Sequence, residues 1–450
     1  MTETFVIVGG DAAGMSAASK ARREDPEMNI IAFEKGEWVS YGACGLPYYV
    51  KGEIPELEDL VSVTAEEFRE ERDIDLRTHH EVTGIDTAGK TVTVESPDGT
   101  ITQSYDSLLI ATGASAVVPP FEGRDLDGVY TLHSLPAGEA IREALEGSDA
   151  PETVGVIGGG YIGIEMAEAL RGRDIDVELF EMLPHVLQPF GTTVADRVED
   201  ELEEKGVNLH LDTRVEGFEG DKSVSGVRTE SDQVPVDAVV IGVGVRANAE
   251  LAEAAGIETG DTGAIATDEY GRTSAEDVYA AGDVAEMTHV VTGEPDHVPL
   301  ALTANRAGRA IGQTVAGDPT PVGEIAGTAV VKAFDLEAAR TGIIDSERAE
   351  KAGFDPVSVE ITAKSRAGYY PGGHPIHIQL VGDADSEAVL GAAMVGREGV
   401  AKRIDTVATA LHAGMTVDDL EYLDLSYAPP FGPTWDPVLT AAKVLNGQLD

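Results

Sequence analysis

The residue with the most chemistry to offer is the single cysteine of the 450-residue chain, Cys44. It lies in the segment 40–49, SYGACGLPYY, where small neighbours leave the thiol accessible, as a reactive thiolate needs to be. A lone cysteine excludes an intrachain disulfide framework and fits a reducing cytoplasm, which is the compartment we expect. Such a thiol takes up electrons only as a mixed disulfide with a small thiol or as a sulfenic acid. An inert core position is the alternative.

A glycine-rich turn at residues 158–163 has the spacing of a dinucleotide-binding loop. The strand-like run Thr153–Ile157 precedes it, a helical run follows, and the next strand ends at Glu181. The glycines allow close backbone approach, the helix N-terminus can hold a pyrophosphate, and the acid accepts hydrogen bonds from ribose hydroxyls. Since a carboxylate repels a 2′-phosphate, the segment predicts NADH in preference to NADPH. An approach of Arg171 or Arg173 to the site would weaken that preference.

A similar turn lies near the start of the chain, at residues 9–14, GGDAAG. The strand-like run 5–8 precedes it, an Ala-rich helix follows, and the next strand ends at Glu34, 20 residues beyond Gly14. Asp11 stands where the middle glycine of the motif usually does, and its charge is unfavourable beside a pyrophosphate. The segment predicts a dinucleotide site with one anomalous position. An ordinary strand-to-helix turn is the alternative.

These two units, 4–35 and 153–181, repeat one βαβ theme and predict two dinucleotide-binding domains in an α/β chain. After about residue 323 the pattern changes, because several strand-like segments lead into an amphipathic helix near 400–413. We therefore expect an α/β fold with two Rossmann-like domains and a C-terminal α+β domain.

The stretches that follow the two units, 74–112 and 207–245, are also strand-like. The first of them is interpreted as alternating polar and apolar residues, in Thr91–Val94 and then in Ser107–Ile110. We expect both stretches to form antiparallel strands.

The charge balance is extreme, with 81 acidic and 32 basic residues and a net charge of −49. A field of that sign disfavours nucleic acid and anionic membranes as partners. The acids are spread along the whole chain, which predicts adaptation to multimolar salt; an ordinary acidic cytosolic protein is the alternative. We expect structure to be lost at low salt, where self-repulsion is unscreened, and a melting temperature independent of KCl would contradict this.

Other features of the sequence exclude further classes of protein. An apolar strand begins at Phe5, close to the first residue, so we expect no signal peptide. No apolar run approaches the roughly 18 residues of a membrane span. The ten histidines are scattered without metal-ligand spacing, so we expect no metal site.

Residues 273–283, TSAEDVYAAGD, place a strand directly before Gly282 and Asp283. Together with the segment 111–114, ATGA, they resemble the FAD-contacting segments of two-dinucleotide flavoproteins of the pyridine nucleotide-disulfide oxidoreductase family. The resemblance spans the whole chain and implies FAD at the first turn and NAD at the second. The cofactor-binding residues that it implies are Gly9, Gly10, Ala12, Ala13, Gly14, Glu34, Lys35, Val82, Thr112, Gly113, Gly282, Asp283, Ala301, Gly158, Gly160, Tyr161, Ile162, Gly163, Glu181 and Gly244.

The same resemblance implies a division into domains. The FAD-binding domain is expected at 1–115 and 248–322, the NAD(P)H-binding domain at 116–247, and a C-terminal dimerisation domain at 323–450.

Glutathione-reductase-like members carry a Cys-x4-Cys pair in the region of Cys44, and this chain has one cysteine. The single-cysteine subgroup contains CoA-disulfide reductases, NADH oxidases and NADH peroxidases, and the segment 40–49 looks most like the first of these. Three C-terminal segments are similar to the same branch: GYYPGG at 368–373, GREGVAKRID at 396–405 and SYAPPF at 426–431. The likeness implies a homodimer in which Tyr427 and Tyr369 reach the partner's cysteine and act in catalysis. Ordinary interface aromatics are the alternative.

A cluster of basic residues on the first helix favours CoA independently of the resemblance. Ser16, Lys20 and Arg23 follow i, i+4, i+7 spacing in a chain with few positive charges, and CoA carries a pyrophosphate and a 3′-phosphate. A solvated basic helix face is the alternative. The family's CoA contacts match Ser16, Lys20, Arg23, Ser40, Ala43 and Arg72, although Ala43 replaces a common Asn and Lys20 stands where the family varies.

The expected reaction passes hydride from NADH to the flavin, which then reduces a Cys44–S–S–CoA mixed disulfide. Three alternatives stay open. One is an NADH oxidase that reduces O2 through a Cys44 sulfenic acid, and another is a reductase of CoA persulfide or polysulfide. The third is a redox sensor or electron-transfer flavoprotein that turns over no small disulfide.

Overall fold

The first glycine-rich turn belongs to a five-stranded sheet. In the computed structural model of the chain, which describes residues 2–449, this sheet has the strand order β18-β7-β1-β2-β3, and all its pairs are parallel. A three-stranded antiparallel sheet, β4-β5-β6, lies between β3 and β7 in the chain. The elements of this part are β1 Thr4–Val8, α1 Ala12–Glu24, β2 Asn29–Phe33, α2 Leu46–Lys51, α3 Ala65–Glu70, β3 Asp75–Arg77, β4 Glu81–Asp86, β5 Thr91–Ser96, β6 Gly99–Ser104, β7 Ser107–Ile110 and β8 Ala114–Ala116.

The second glycine-rich turn belongs to a separate five-stranded parallel sheet with the order β12-β11-β10-β16-β9. A small antiparallel sheet, β13-β14-β15, packs beside it, and β17 pairs with β8 of the first part. The elements are β9 Val129–Thr131, α4 Leu135–Glu146, β10 Thr153–Ile157, α5 Tyr161–Arg171, β11 Asp176–Phe180, α6 Thr192–Glu204, β12 Val207–His210, β13 Val215–Gly220, β14 Val224–Thr229, β15 Gln233–Val234, β16 Ala238–Ile241 and β17 Val245–Ala247.

The chain then returns to the first sheet, because β18 pairs with β7. Helix α8 packs along α1, where Gly308 and Gly312 allow contact with the backbone of Ala13 and Ala17. The elements of this return segment are α7 Glu250–Ala254, β18 Val278–Ala280, β19 Met287–Thr288, β20 Pro295–Asp296 and α8 Ala301–Val315.

The last part is built on a five-stranded antiparallel sheet with the order β21-β22-β25-β24-β23. Strand β25 is buried along its whole length, because α10 and also α6 from the second part pack against it. The elements are β21 Ala329–Ala333, β22 Leu336–Gly342, α9 Ser346–Lys351, β23 Pro356–Lys364, β24 Pro375–Asp383, β25 Val389–Gly396, α10 Val400–His412, α11 Val417–Glu421 and α12 Pro437–Leu449. The predicted fold class, two Rossmann-like parts and a C-terminal α+β part, is confirmed. The domain boundaries 1–115 with 248–322, 116–247 and 323–450 stay our proposal.

The predicted antiparallel arrangement is wrong for part of each strand-rich stretch. Strand β7, which covers Ser107–Ile110, pairs parallel with β1 and β18, and β12 and β16 of the stretch 207–245 are parallel as well. In β7, residues Leu108–Ile110 are all buried. A short continuous apolar run of this kind is typical of a central parallel strand. The alternating strand β5, which contains Thr91–Val94, is antiparallel as expected.

An ion-pair network joins the three parts directly behind α2. Glu168 of α5 is buried, and its carboxylate receives Lys51 of α2 at 2.8 Å, Lys332 of β21, and the backbone N–H of Phe334 at 2.8 Å. These partners lower the pKa of Glu168 against the effect of burial. Removal of one member of a buried pair usually costs about 3–5 kcal/mol, so this network holds α2 against α5. No helix within residues 2–449 is long and apolar enough to cross a membrane.

Candidate active site

The first glycine-rich turn has the geometry of a dinucleotide cradle. Gly9 has a φ of +115°, and a Cβ at Gly14 would collide with the carbonyl oxygen of Gly9. Glu34 fastens the turn to the end of β2, because its carboxylate accepts the N–H groups of Gly10 at 2.8 Å and of Gly36 at 2.7 Å. The predicted residues Gly9, Gly10, Gly14 and Glu34 are therefore brought together, with Ala12 and Ala13 opening α1.

The second turn repeats this arrangement closely. Gly158 has a φ of +105°, and a Cβ at Gly163 would collide with its carbonyl oxygen. The carboxylate of Glu181 accepts the N–H groups of Gly159 at 2.7 Å and Leu183 at 2.9 Å. A Cβ at Gly160 would meet nothing within 4 Å, so the start of α5 has the open space that a pyrophosphate needs.

The two arginines that could have reversed the cofactor preference are engaged elsewhere. Arg171 binds Asp176 at 2.7 Å and the carbonyl oxygens of Ile175 and Lys205. Arg173 binds Glu146 at 2.9 Å and the carbonyl oxygen of Val50. Neither side chain is a partner of Glu181, so its charge stands without compensation from them.

The anomalous residue of the first turn, Asp11, forms a specific contact. Its carboxylate accepts the backbone N–H of Tyr41 at 3.1 Å and does not cap α1. Burial raises the pKa of Asp11 to about 6, the negative charges of Glu34 and Asp283 add to the rise, and the Tyr41 hydrogen bond opposes it. The unfavourable charge expected from the sequence is therefore reduced by proton uptake when the pH falls below about 6.

Cys44 lies between the two glycine-rich turns. It is exposed, as predicted, in a single 3₁₀ turn over Ala43–Gly45 directly before α2. The walls of the site raise the pKa of the thiol, first by desolvation and then through the negative charges of Glu165, Asp283 and Asp11. These carboxyl groups belong to α5, to the loop after β18 and to the start of α1, so residues of both sites converge on the sulfur. Desolvation and these negative charges therefore favour the protonated thiol of Cys44 over its thiolate.

Sequence reasoning missed one acid beside Cys44, Glu165. Its carboxylate accepts a hydrogen bond from the Tyr48 hydroxyl at 3.1 Å, across the contact between α2 and α5. Burial raises the pKa of Glu165 to about 7, the charge of Glu168 adds to the rise, and the Tyr48 hydrogen bond opposes it. Near neutral pH the group can therefore hold or release a proton close to Cys44. The available signal was its position one helical turn after Tyr161, on the side of α5 that begins at the glycine-rich turn.

The other residues predicted at the FAD site surround the ends of the first sheet. Asp283 follows β18, and burial raises the pKa of its carboxyl group. The Nε2–H of His297 donates to the backbone carbonyl oxygen of Asp283 at 2.8 Å. Thr112 is held by Asn248, whose side chain donates to the Thr112 carbonyl at 2.8 Å. The Cβ position of Gly113 is open, and Gly282 lies against Ala13 at the start of α1. These residues and the open cradle fit a bound FAD.

Three predicted cofactor residues carry no hydrogen bond that marks the site. Lys35 is exposed after β2, Val82 is buried in β4, and Ala301 is exposed at the first position of α8. At the second site, Tyr161 packs edge-on against Phe190 with ring centroids 5.4 Å apart. Ile162 is partly buried beside it, and the Cβ position of Gly244 is open.

The predicted CoA-contacting residues are only partly available for an anion. Ser16 donates to Asn305 of α8 at 2.6 Å, and Arg72 donates to Ser19 at 2.9 Å while its guanidinium covers the Phe68 ring. Lys20 is buried and pairs with Glu24, so its charge is already compensated within the helix, and its contact with CoA stays a prediction. The physical reason is that Glu24 lies one turn further along the same helix.

Arg23 is exposed, without a carboxylate partner within residues 2–449. Ser40 has a φ of +48° and ties the loop before Cys44 to the first turn, because its N–H donates to the Gly10 carbonyl at 3.0 Å. Ala43 is partly buried next to Cys44. The contact of Ser16 with Asn305 adds the exposed face of α8, with Asn305 and Arg309, to the same surface.

Tyr369 and Tyr427 form a pair on the C-terminal part of the chain. Their hydroxyl oxygens are 2.8 Å apart, and both side chains are exposed. The hydrogen bond from Tyr369 lowers the pKa of Tyr427, and the same bond raises the pKa of Tyr369. Phe431 and Trp435 are exposed nearby in the chain, and an aromatic patch of this kind is typical of a protein interface.

One group of potential metal ligands comes together in the second part. Atoms of His185, Asp196 and Glu199 lie within 4.8 Å of one another. Glu199 also accepts the N–H of Val186 at 3.0 Å. The group therefore has a structural role, in which it fastens the loop after β11 to α6.

Comparisons with known proteins agree with this geometry. The family model described as pyridine nucleotide-disulphide oxidoreductase matches residues 3–308, and the dimerisation domain of the same family matches residues 328–437. A CoA-dependent NAD(P)H sulfur oxidoreductase of Pyrococcus abyssi is 42% identical over 445 residues, which are 99% of this chain and 98% of the relative. The coenzyme A disulfide reductase of Staphylococcus haemolyticus is 31% identical over 439 residues, covering 96% and 97%.

Among solved structures, the NAD-dependent persulfide reductase of A. fulgidus is similar. It matches with a TM-score of 0.95 and 41% identity, over 99% of this chain and 83% of that one.

Two dinucleotide folds that face one cysteine define an oxidoreductase that uses FAD and NAD(P)H. The chain belongs to the pyridine nucleotide-disulphide oxidoreductase family. Its C-terminal part is the dimerisation domain of that family.

Proposed function

We propose that the protein reduces CoA disulfide with NADH, through a mixed disulfide between Cys44 and CoA. The observation that carries the proposal is the position of an exposed, solitary Cys44 between two dinucleotide cradles. With no second cysteine in the chain, the other sulfur of the exchanging disulfide has to come from the substrate. FAD, when bound at the first turn, supplies the hydride and electron transfer between NADH and this disulfide.

The reaction balances as two half-reactions at Cys44. Two electrons and one proton cleave the Cys44–S–S–CoA bond, which leaves the Cys44 thiolate and releases CoA as a thiol. The Cys44 sulfur then attacks a CoA disulfide, which restores the mixed disulfide and releases a CoA thiolate. Protonation of this thiolate completes the balance: one NADH and one proton are consumed in total, and two CoA thiols are formed from one CoA disulfide. The buried carboxyl group of Glu165, with a pKa of about 7, can hold a proton near this sulfur.

CoA recognition is assigned to the surface formed by α1, α3 and α8. Arg23 and Arg72 supply positive charge for the CoA phosphates, and Ser16 and Ser40 supply hydroxyl groups. We assign a smaller role to Lys20, because its charge is already paired with Glu24. Asn305 and Arg309 extend the surface on α8.

We propose a homodimer in which Tyr427 and Tyr369 act at the partner's Cys44. Tyr427 protonates or orients the departing CoA, since its hydrogen bond from Tyr369 already lowers its pKa. A mixture of two inactive variants tests this arrangement: Cys44→Ser dimers and Tyr427→Phe dimers are dissociated and reassociated together. Mixed dimers contain one site with both groups intact, so activity should reappear. If the mixed dimers recover no activity, the shared site is contradicted. Full activity of the wild-type protein after dilution to monomers would contradict it as well.

Two measurements test the substrate. Mass spectrometry of the unreduced protein should find a CoA adduct on Cys44, whereas a bare or sulfenic cysteine would favour an NADH oxidase. Cys44→Ser should lose CoA-disulfide reduction and still allow NADH to reduce the flavin. Persistent disulfide turnover in that variant would overturn the mechanism.

A second candidate is reduction of CoA persulfide or polysulfide through the same cysteine. It is favoured by the names of the two similar proteins at 42% and 41% identity. Steady-state assays with CoA disulfide and CoA persulfide, run side by side, distinguish the two by their kcat/KM values. A reducing cytoplasm is the compartment that we propose for either reaction, because one unpaired thiol persists there.

A further inference from the structure

A cleft away from Cys44 lies between the second part of the chain and the C-terminal sheet. Its volume is about 430 Å³, within the roughly 300–1,000 Å³ of small-molecule sites. One wall is the segment 188–195, which leads into α6, and the other runs from Arg340 in β22 to Arg348 in α9. Gln379 of β24 closes one side, with its carboxamide next to Gly191.

Arg340 is the unusual residue of this cleft. Its Nε is buried without a hydrogen-bond partner, and no carboxylate within residues 2–449 pairs with it. The guanidinium lies 5.9 Å from the centre of the Phe190 ring, directly before the start of α6. In a chain with 81 acids and 32 bases, an arginine without an acid is a charge that an anion from solution would stabilise.

A second arginine lies near Arg340 in spite of the net charge of −49. Arg348 lines the same cleft and pairs with Asp296 at 2.7 Å. His289 is fully buried close by, and its pKa is lowered to about 4, first by burial and then by the charge of Arg348. The charge of Asp296 opposes this shift, and that of Arg340 adds to it.

The start of α6 adds backbone donors to the cleft. The helix has 13 residues, and its N-cap is Gly191, which has no side chain to accept the first N–H groups. Thr193 directs its hydroxyl to Glu360, and Thr192 is exposed in the cleft wall. Open N–H groups and the helix dipole favour a negative charge at this position.

The remaining lining suits an organic molecule rather than a bare ion. Pro189, Ile343 and Ile344 provide apolar surface. Asp345 is used to cap α9, since it accepts the N–H of Arg348 at 2.7 Å, and Glu347 is exposed at the rim. Both acids of the cleft wall are exposed, and Ile343 and Ile344 are buried.

We propose that this cleft binds a small phosphorylated metabolite, with its phosphate between the Arg340 guanidinium and the start of α6. The organic part lies against Pro189 and Ile344. The site joins the NAD-binding and C-terminal parts of the chain, and it is distinct from the cysteine site, so it does not depend on the proposed substrate.

Calorimetric titration of the FAD-loaded dimer tests the proposal, with NAD+ at saturation so that both dinucleotide sites are filled. The probes are ribose 5-phosphate, inorganic phosphate and neutral ribose, at one fixed KCl concentration. Saturable binding of ribose 5-phosphate is expected, with no binding of ribose. If inorganic phosphate binds as tightly as ribose 5-phosphate, the anion site is supported, and the phosphate group alone is sufficient for binding.

Variants locate the binding. Arg340→Met should weaken ribose 5-phosphate binding at least tenfold. Arg214→Met, which removes an exposed arginine of the second part of the chain, should leave it unchanged. Gln379→Glu places a negative charge in the cleft wall and should also weaken binding at least tenfold, which keeps the test decisive if Arg340→Met fails to fold. Absence of phosphate-dependent binding in the wild type, or equal affinity in Gln379→Glu, would overturn the proposal.

Discussion

The two glycine-rich turns are built alike, and only the first carries a charged residue, at its third position. In each turn the first glycine has a positive φ, the last glycine packs against its carbonyl oxygen, and an acid from the next strand accepts an N–H of the turn. The third position is Asp11 in the first turn and Gly160 in the second. Asp11 is tied to the loop before Cys44 through Tyr41, and Gly160 leaves open space.

This difference shows how one supersecondary unit serves two tasks. The second turn is sterically open and carries no acid of its own, so a dinucleotide can enter and leave it during turnover. The first turn is linked by Asp11 to the cysteine loop, and the charge of this acid depends on pH near 6. We infer that the first site suits a cofactor that stays bound, with its affinity set partly by a proton.

The largest change in nucleotide affinity should come from placing an aspartate, the counterpart of Asp11, in the second turn. Gly160→Asp places a carboxylate where a pyrophosphate has to lie, and we expect NADH to bind at least 100-fold more weakly, about 2.8 kcal/mol. Gly160→Asn has the same shape without the charge and should lose much less. Similar losses in the two variants, measured by NADH titration, would show that space rather than charge distinguishes the turns.

Removal of the acid from the first turn should change the pH dependence of FAD binding. A pyrophosphate favours the protonated form of Asp11, so the Kd for FAD in the wild type should rise about tenfold between pH 6 and pH 7.5. Asp11→Asn should show a flat profile, as followed by FAD fluorescence in the apoprotein. Parallel profiles for the two proteins would exclude Asp11 as the titrating group.

The same variant should change the stability of the apoprotein, with a sign that follows from the pKa. Because folding raises the pKa of Asp11 from 3.8 to about 6, its ionisation costs stability as the pH rises through that interval. Above pH 6 the cost is at most about 3 kcal/mol. Asp11→Asn should therefore be more stable than the wild type at pH 7.5 and not at pH 4, as measured by denaturant unfolding at fixed KCl.

The smallest effect is expected at Glu181, the acid of the second turn that corresponds to Glu34 of the first. Glu181→Gln removes the repulsion of a 2′-phosphate, and the ratio of NADPH to NADH affinity should rise about tenfold. Only a modest change is expected because Arg171 and Arg173 stay bound to their own partners. Glu230→Gln, an exposed change in the same part of the chain, serves as the control. An unchanged ratio in Glu181→Gln would separate nucleotide preference from this carboxylate.

Local pattern predicted most of the fold and failed at the central strands. Glycine spacing and the acid after each second strand are local signals, and both βαβ units were predicted correctly. The antiparallel prediction for Ser107–Ile110 was wrong, because a strand's partners are chosen by burial between distant segments rather than by its own four residues. Lys20 lies on the first helix as predicted, where it pairs with Glu24.

The sequence by itself determined that Cys44 has no intrachain partner, that two dinucleotide turns exist, and that one of them carries an acid. These properties follow from residue identity and short-range spacing. Only the tertiary structure decided what surrounds each group: the carboxyl groups of Asp11, Asp283 and Glu165 around Cys44, and the unpaired guanidinium of Arg340. The reason is physical, because desolvation and Coulomb interactions depend on distances between segments that lie far apart in the chain.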